Sequence, residues 1–245
     1  YFWHNTLGKR TGLQWLLLGL LLGFIYLVRQ QDILLGILPM LELLKRSLRG
    51  VNLYRIRKTA AEGLTFATGI ITAILPQMLV WKKMYGSFLV YTYKNASANP
   101  ATLEPVRWTF PQLLPLFFSA ESGMWRVPLL LLAVIGTFLF AFRTRWIGWC
   151  FLAAVVAQII VTASWQGWVN GYGIRFLLGM SVFFALGTAE VIDMLRKKTS
   201  MKLIYALFAA LIAANFVNML LVLMKQITTK TPIGEIPAIL IGILR

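Results

Sequence analysis

The sequence predicts an all-α, polytopic membrane protein with about seven transmembrane helices, and two observations carry this prediction. First, 59% of the 245 residues are hydrophobic and only 13% are charged, with a mean hydropathy of +0.74. Soluble domains usually carry about 25% charged residues. Second, the apolar residues occur in blocks near the length of a membrane span, and not in the short alternating segments of a β-barrel. We therefore expect residues 1–245 to form a single transmembrane domain.

Seven apolar runs define the predicted spans, at residues 11–28, 33–44, 60–81, 126–142, 147–163, 176–195 and 203–224. In the first run, Gly19 and Gly23 have the four-residue spacing that permits close helix packing. Pro76 is predicted to bend the third span near its outer end. The tail from Pro232 onward is too short and too interrupted by proline to predict a further span.

The basic residues predict which side of the membrane each connection occupies. Cations are densest at 45–58 and recur at 143–146 and 196–202, so these segments are predicted to be cytoplasmic. The extracytoplasmic segments are then 82–125 and 165–175. Residues 110–120 within the first of these are apolar but too short to span, which predicts a helix lying in the membrane interface.

Composition also excludes several kinds of partner and chemistry. Cys150 is the only cysteine and His4 the only histidine, so neither a disulfide framework nor a thiolate or histidine metal site is expected. The formal charge of +16 does not indicate nucleic acid, because the cations lie in short clusters between apolar runs. Membrane lipids are the expected surroundings.

Two interpretations are open for the loop at residues 164–175, which is rich in glycine and aromatic residues. Trp165, Trp168 and Tyr172 are amphipathic rings of the kind that settle at a membrane boundary, and Arg175 begins the next span. These residues form either an aromatic belt with a snorkelling arginine or a loop that holds a sugar or a lipid phosphate.

Other cations on the predicted outer side favour an anionic ligand. A face with few acidic residues is surrounded by cations and suits a lipid phosphate; these cations are Lys82, Lys83, Lys94, Arg107, Arg126 and Arg175. At the polar tip 29–32, between the first two runs, Arg29 either serves the same ligand or simply neutralises Asp32. We expect this tip, the 110–120 segment and the 165–175 loop to converge on one outward cavity.

The order of four motifs resembles the C-terminal half of bacterial C-type (GT-C) glycosyltransferases, relatives of protein O-mannosyltransferases and of lipid A aminoarabinose transferases. The motifs are the polar tip 29–32, the Leu-Pro-Gln run at 75–87, the Leu-Phe-Phe-Ser run at 116–123, and the Trp-Gln-Gly-Trp to Ile-Arg-Phe run at 165–176. The resemblance covers most of residues 11–195. The segment 1–6 looks like the end of an earlier helix, so we expect the chain to be part of a longer protein.

The resemblance implies transfer of a sugar from a polyprenyl-phosphate carrier to an acceptor at the outer face of the bacterial inner (plasma) membrane. It implies a substrate-binding set that stabilises the leaving phosphate and stacks on the sugar, comprising Arg29, Gln31, Asp32, Arg107, Trp165, Trp168, Tyr172 and Arg175. The family's catalytic carboxylate lies in a first outer loop that this sequence does not match, so no catalytic residue is assigned. No cofactor is evident, and a divalent metal, as in some relatives, would need ligands from that upstream part.

Two other classes of function remain open. One is a transporter or flippase for an anionic lipid or solute, and the other is a non-catalytic membrane subunit. Transporters commonly contain repeats around a site at the membrane midplane. This sequence shows no internal repeat, and its polar residues cluster on one predicted face, which favours chemistry at the outer side of the membrane.

Overall fold

A computed structural model of the chain describes residues 1–48, 52–90, 110–119, 123–164, 177–223, 231 and 233–244. Every regular element among these residues is a helix, which confirms the all-α prediction. Four helices are long and apolar enough to cross a membrane, at Leu53–Tyr85, Trp146–Ser164, Leu177–Leu195 and Met201–Leu221. Two shorter apolar helices accompany them. The prediction of about seven spans is not confirmed by this count.

The chain divides into two compact units, Tyr1–Val106 and Arg107–Arg245. The first unit contains four α-helices in the described residues, namely α1 (Phe2–Asn5), α2 (Gly12–Val28), α3 (Ile37–Leu48) and α4 (Leu53–Tyr85). A 3-10 segment, Gln30–Gly36, connects α2 to α3. Thr11 starts α2 with a capping box, in which its side chain accepts from the Gln14 N–H and the Gln14 side chain accepts from the Thr11 N–H.

Glycines bring α2 and α4 together as a parallel pair. A Cβ added to Gly19 would collide with the carbonyl oxygen of Phe66, and one added to Gly23 would lie 2.6 Å from the Cβ of Ala73. Gly69 faces the backbone of α2 in the same way. The close packing predicted from the spacing of Gly19 and Gly23 is therefore confirmed.

The structure differs from the prediction of a continuous second span at 33–44. The first part of that run is a 3-10 segment, and the α-helix that follows has only 12 residues. At 1.5 Å per residue α3 is about 18 Å long, well short of a hydrocarbon core of about 30 Å. It runs back along α2, since Gly36 lies against Leu22 at one end and Glu42 bonds Arg10 at the other.

Buried ion pairs hold together the end of the first unit where α2 begins. Glu42 lies 2.6 Å from Arg10 and 2.6 Å from Arg46, which also pairs with Glu62 at 3.0 Å. The Trp15 ring contacts both guanidinium groups, with its centroid 4.4 Å from the Cζ of Arg10 and 5.6 Å from the Cζ of Arg46. This ion-pair cluster joins α2, α3 and α4, so it fixes their register at that end.

The predicted span 60–81 forms part of a longer helix. α4 has 33 residues and continues through Pro76, which lacks the N–H that would bond the carbonyl of Thr72. Its length of about 50 Å exceeds the hydrocarbon core, so its ends must lie beyond that core if α4 crosses a membrane. Gly86, in the left-handed conformation (φ 74°), ends the helix.

The second unit contains six α-helices in the described residues: α5 (Leu113–Phe118), α6 (Pro128–Thr144), α7 (Trp146–Ser164), α8 (Ser181–Leu195), α9 (Met201–Leu223) and α10 (Ile236–Leu244). Gly136 of α6 meets Gly187 of α8 at a close backbone crossing. The Thr137 hydroxyl lies beside it, 2.9 Å from the Ala133 oxygen and 3.3 Å from the Phe183 oxygen. This crossing makes α6 and α8 a second parallel pair.

The structure describes two of the connections predicted for the second unit, and both are short. The connection predicted at 143–146 is a tight turn, because α6 ends at Thr144 and Arg145 adopts a positive φ of 53° before α7 begins. The interfacial helix predicted at 110–120 is only six residues long, α5. Its start is tied to the end of α7 by a 3.0 Å bond from the Gln112 N–H to the Ala163 oxygen.

Candidate functional site

A polar pocket of about 220 Å³ lies in the first unit, at the ends of α2 and α4 that are remote from the ion-pair cluster. Its polar lining comes from the end of α2 and the start of the 3-10 segment on one side, and from α4, about 50 residues further along the chain, on the other. The pocket is lined by Tyr26, Leu27, Val28, Arg29, Gln30, Gln77 and Trp81. Its lining residues thus carry a guanidinium group, two amides, a phenol and an indole.

Arg29 reaches this pocket because α2 ends at that residue. Its backbone is extended (φ −154°, ψ 105°), while its N–H still donates to the Ile25 oxygen at 2.9 Å. The chain therefore leaves the α-helix abruptly and turns into the 3-10 segment, where the Asp32 N–H donates to the Arg29 oxygen at 3.0 Å. Arg29 is half-buried and lines the pocket.

The 3-10 segment places the other two predicted residues of the tip differently. Gln31 is half-buried and does not line the pocket. Asp32 is buried, with 7% of its surface exposed, and its Oδ1 has no hydrogen-bond partner among the described residues. Burial raises the pKa of Asp32 above its ordinary value, and the positive charge of Arg29 opposes that rise.

The remaining polar wall comes from residues that the predicted substrate-binding set does not include. Gln77 follows Pro76 in α4, and Trp81, one turn further on, is buried. Gln30 donates from Nε2 to the Val90 oxygen at 3.2 Å, which ties the segment after α4 to the start of the 3-10 segment. A polar amide directly after proline in an apolar run was the available sequence signal for Gln77.

Five predicted substrate-binding residues lie outside the described residues, namely Arg107, Trp165, Trp168, Tyr172 and Arg175. The predicted convergence of the 165–175 loop with the polar tip stays a prediction. Of the predicted set, the structure places Arg29 in the pocket and Asp32 in the segment that continues from it.

The second unit contains a larger groove of about 380 Å³ between α6 and α8. Its lining is apolar except for two hydroxyls, those of Ser181 and Thr188, and the latter donates to the Phe184 oxygen at 2.8 Å. The residues that line this groove therefore offer no charged group and no side-chain amide for a sugar phosphate. We assign the candidate site to the polar pocket of the first unit.

The described part of the chain contains no group of three or more His, Cys, Asp or Glu side chains that could hold a metal ion. Cys150, the sole cysteine, is buried in α7. The chemistry that the polar pocket can perform on its own is binding, by charge-assisted and neutral hydrogen bonds and by aromatic stacking.

Comparison of the chain with known proteins gave no match to any family model, to any curated protein or to any solved structure.

Proposed function

We propose that the chain is part of a membrane glycosyltransferase that binds a polyprenyl-phosphate-linked sugar at the polar pocket and transfers the sugar to an acceptor at the extracytoplasmic face. The observation that carries this proposal is the polar pocket at the helix ends, which combines the Arg29 guanidinium with the Gln77 amide and the Trp81 ring. The resemblance of motifs along residues 11–195 supports the same conclusion.

The lining of the pocket offers a suitable kind of side chain for each chemical group of such a sugar donor. A planar guanidinium binds phosphate through two parallel N–H bonds, and stabilises negative charge that builds up on the leaving phosphate. Amides bond sugar hydroxyls, and an indole or phenol ring stacks on a sugar face. Proton removal from the acceptor requires a carboxylate. We assign that role to none of the described residues.

The proposal includes a topology with seven crossings, the second of them made by the 3-10 segment and α3 together, and with the polar pocket on the outer side. Under it, Lys83 in the last turn of α4 lies on the extracytoplasmic side of the membrane and Lys198, between α8 and α9, lies in the cytoplasm. Both side chains are exposed. After replacement of Cys150 by Ser, Lys83→Cys should react with an impermeant maleimide in intact cells, whereas Lys198→Cys should react only after lysis. Labelling of both from the same side contradicts the topology.

Replacing Arg29 tests the role of the pocket in donor binding. A charge-assisted hydrogen bond is worth about 1.5–3 kcal/mol, so Arg29→Ala should weaken binding of farnesyl phosphate by about tenfold to a hundredfold. Arg29→Lys should recover part of the loss, because lysine keeps the charge but not the two-pronged geometry. The measurement is equilibrium binding of radiolabelled farnesyl phosphate to protein in discs of zwitterionic lipid.

Arg57→Ala is the matched control, because Arg57 is an exposed cation near the other end of α4. It lies about 30 Å along the helix from Gln77. Its replacement should leave the affinity for farnesyl phosphate unchanged. The proposal is contradicted if Arg29→Ala, at wild-type helicity and elution volume, binds farnesyl phosphate as tightly as the wild-type protein.

A further inference from the structure

Asp32 is the one buried carboxylate in the described residues of the first unit that makes no ion pair within 4 Å. The other two acids there, Glu42 and Glu62, are both ion-paired in the cluster at the opposite end. Asp32 is 93% buried on a 3-10 segment, and its Oδ1 has no hydrogen-bond partner in the part of the chain that is described. A buried charge without such partners is costly, so this carboxylate is a candidate for taking up a proton.

Few charged groups in the described residues are placed to influence Asp32. The 3-10 segment packs against α2 and α3. α2 contributes Tyr26 and, at its end, Arg29, whereas the charged residues of α3 belong to its other end, beside the ion-pair cluster. Lys82 and Lys83 lie in the last turn of α4, beyond the two pocket residues of that helix. Arg29 is therefore the cation that governs the charge state of Asp32.

We propose that Asp32 takes up one proton from solution when an anionic phosphate binds in the polar pocket beside Arg29. This inference rests on the proposed function, since it concerns the phosphate group of the same ligand. A phosphate at Arg29 neutralises the field that keeps the Asp32 carboxylate ionised, and it adds a second negative charge nearby. Neutral Asp32 removes that repulsion, and its new O–H becomes a donor.

The sign of the pH dependence follows from linkage. Because the bound state favours protonated Asp32, the pKa of Asp32 is higher in the complex than in the free protein. Its contribution to binding is complete below the free-state pKa and is lost as the pH rises through the pKa of the complex. Within that window, affinity should fall by up to about tenfold per pH unit.

Aspartate-selective ¹³C labelling of the carboxyl groups measures this directly, because the chain contains only two aspartates, Asp32 and Asp193. Asp193→Asn leaves the Asp32 signal alone and so assigns it. Farnesyl phosphate should move the titration of Asp32 to higher pH, farnesol should not, and Arg29→Gln without ligand should mimic the phosphate. An Asp32 titration that farnesyl phosphate and Arg29→Gln both leave unchanged overturns the inference.

Binding of farnesyl phosphate as a function of pH separates this inference from the proposed function. The phosphate titrates with a second pKa near 6, so Asp32→Asn serves as the reference that carries only the ligand's own pH dependence. Wild type should show the additional loss of affinity with rising pH. Equal profiles for the two proteins, with tight binding, overturn the proton uptake alone. Absence of binding to both at every pH overturns the proposed function and this inference with it.

Discussion

Glu42→Gln should reduce the free energy of unfolding by about 3–5 kcal/mol, the usual cost of breaking a buried ion pair by removing one partner. Glu42 is 4% exposed and bonds two guanidinium groups, and the Arg10 side chain is completely buried. The substitution keeps the size of the side chain and removes its charge. Arg10 is then left as a buried cation whose remaining partners, the oxygens of Thr6 and Trp3, carry no charge.

Unfolding in mixed dodecylmaltoside–SDS micelles, followed by tryptophan fluorescence, measures this loss. Glu235→Gln is the matched control, since Glu235 is an exposed acid and its replacement should change stability by less than about 0.5 kcal/mol. The double replacement Arg10→Met with Glu42→Leu should recover much of the loss, because it removes both buried charges. If Glu42→Gln and Glu235→Gln are equally stable, the ion-pair cluster does not hold the first unit together.

Gly187→Ala should destabilise the second unit by about 1–3 kcal/mol, the typical cost of adding a methyl group to a well-packed contact. The added Cβ would collide with the Ala133 oxygen and lie 2.6 Å from the Thr137 nitrogen. Both are backbone atoms of α6, so the two helices would have to move apart and lose the contact between Gly187 and Gly136. The same micelle unfolding experiment measures the change.

Gly242→Ala is the control, and we expect it to leave the free energy of unfolding unchanged or to raise it. Gly242 lies within α10, and a Cβ there meets nothing within 4 Å among the described atoms. Alanine favours a helix over glycine by up to about 1 kcal/mol, so this change should be neutral or stabilising. A loss of stability as large for Gly242→Ala as for Gly187→Ala contradicts the importance of the α6–α8 crossing.

The sequence predicted those parts of the fold that depend on local pattern. The apolar runs identified the helices, and the spacing of Gly19 and Gly23 identified a packing face, because both signals lie within one helix. The run at 33–44 was misleading, since its hydropathy does not distinguish a spanning helix from a 3-10 segment followed by a short helix. The ion-pair cluster was also missed, because Arg10 and Glu42 are 32 residues apart and only their packing joins them.

The candidate site was predicted in part for the same reason. Arg29 and Asp32 are conspicuous because they are charged residues between two apolar runs. Gln77 and Trp81 acquire their position only from the parallel pairing of α2 and α4 through Gly69, and no local pattern specifies that register. Pairings between distant helices must be known before a pocket between them can be predicted.

The selectivity of the wild-type protein for the phosphate group tests the proposed donor site most directly. The measurement compares the equilibrium affinities of farnesyl phosphate and farnesol in the same zwitterionic lipid discs, since the two ligands share their hydrocarbon chain and differ in the phosphate alone. If the polar pocket binds a lipid-linked phosphate, farnesyl phosphate should bind at least about tenfold more tightly, and Arg29→Ala should abolish most of that difference. Equal affinities of the wild-type protein for the two ligands would contradict the account.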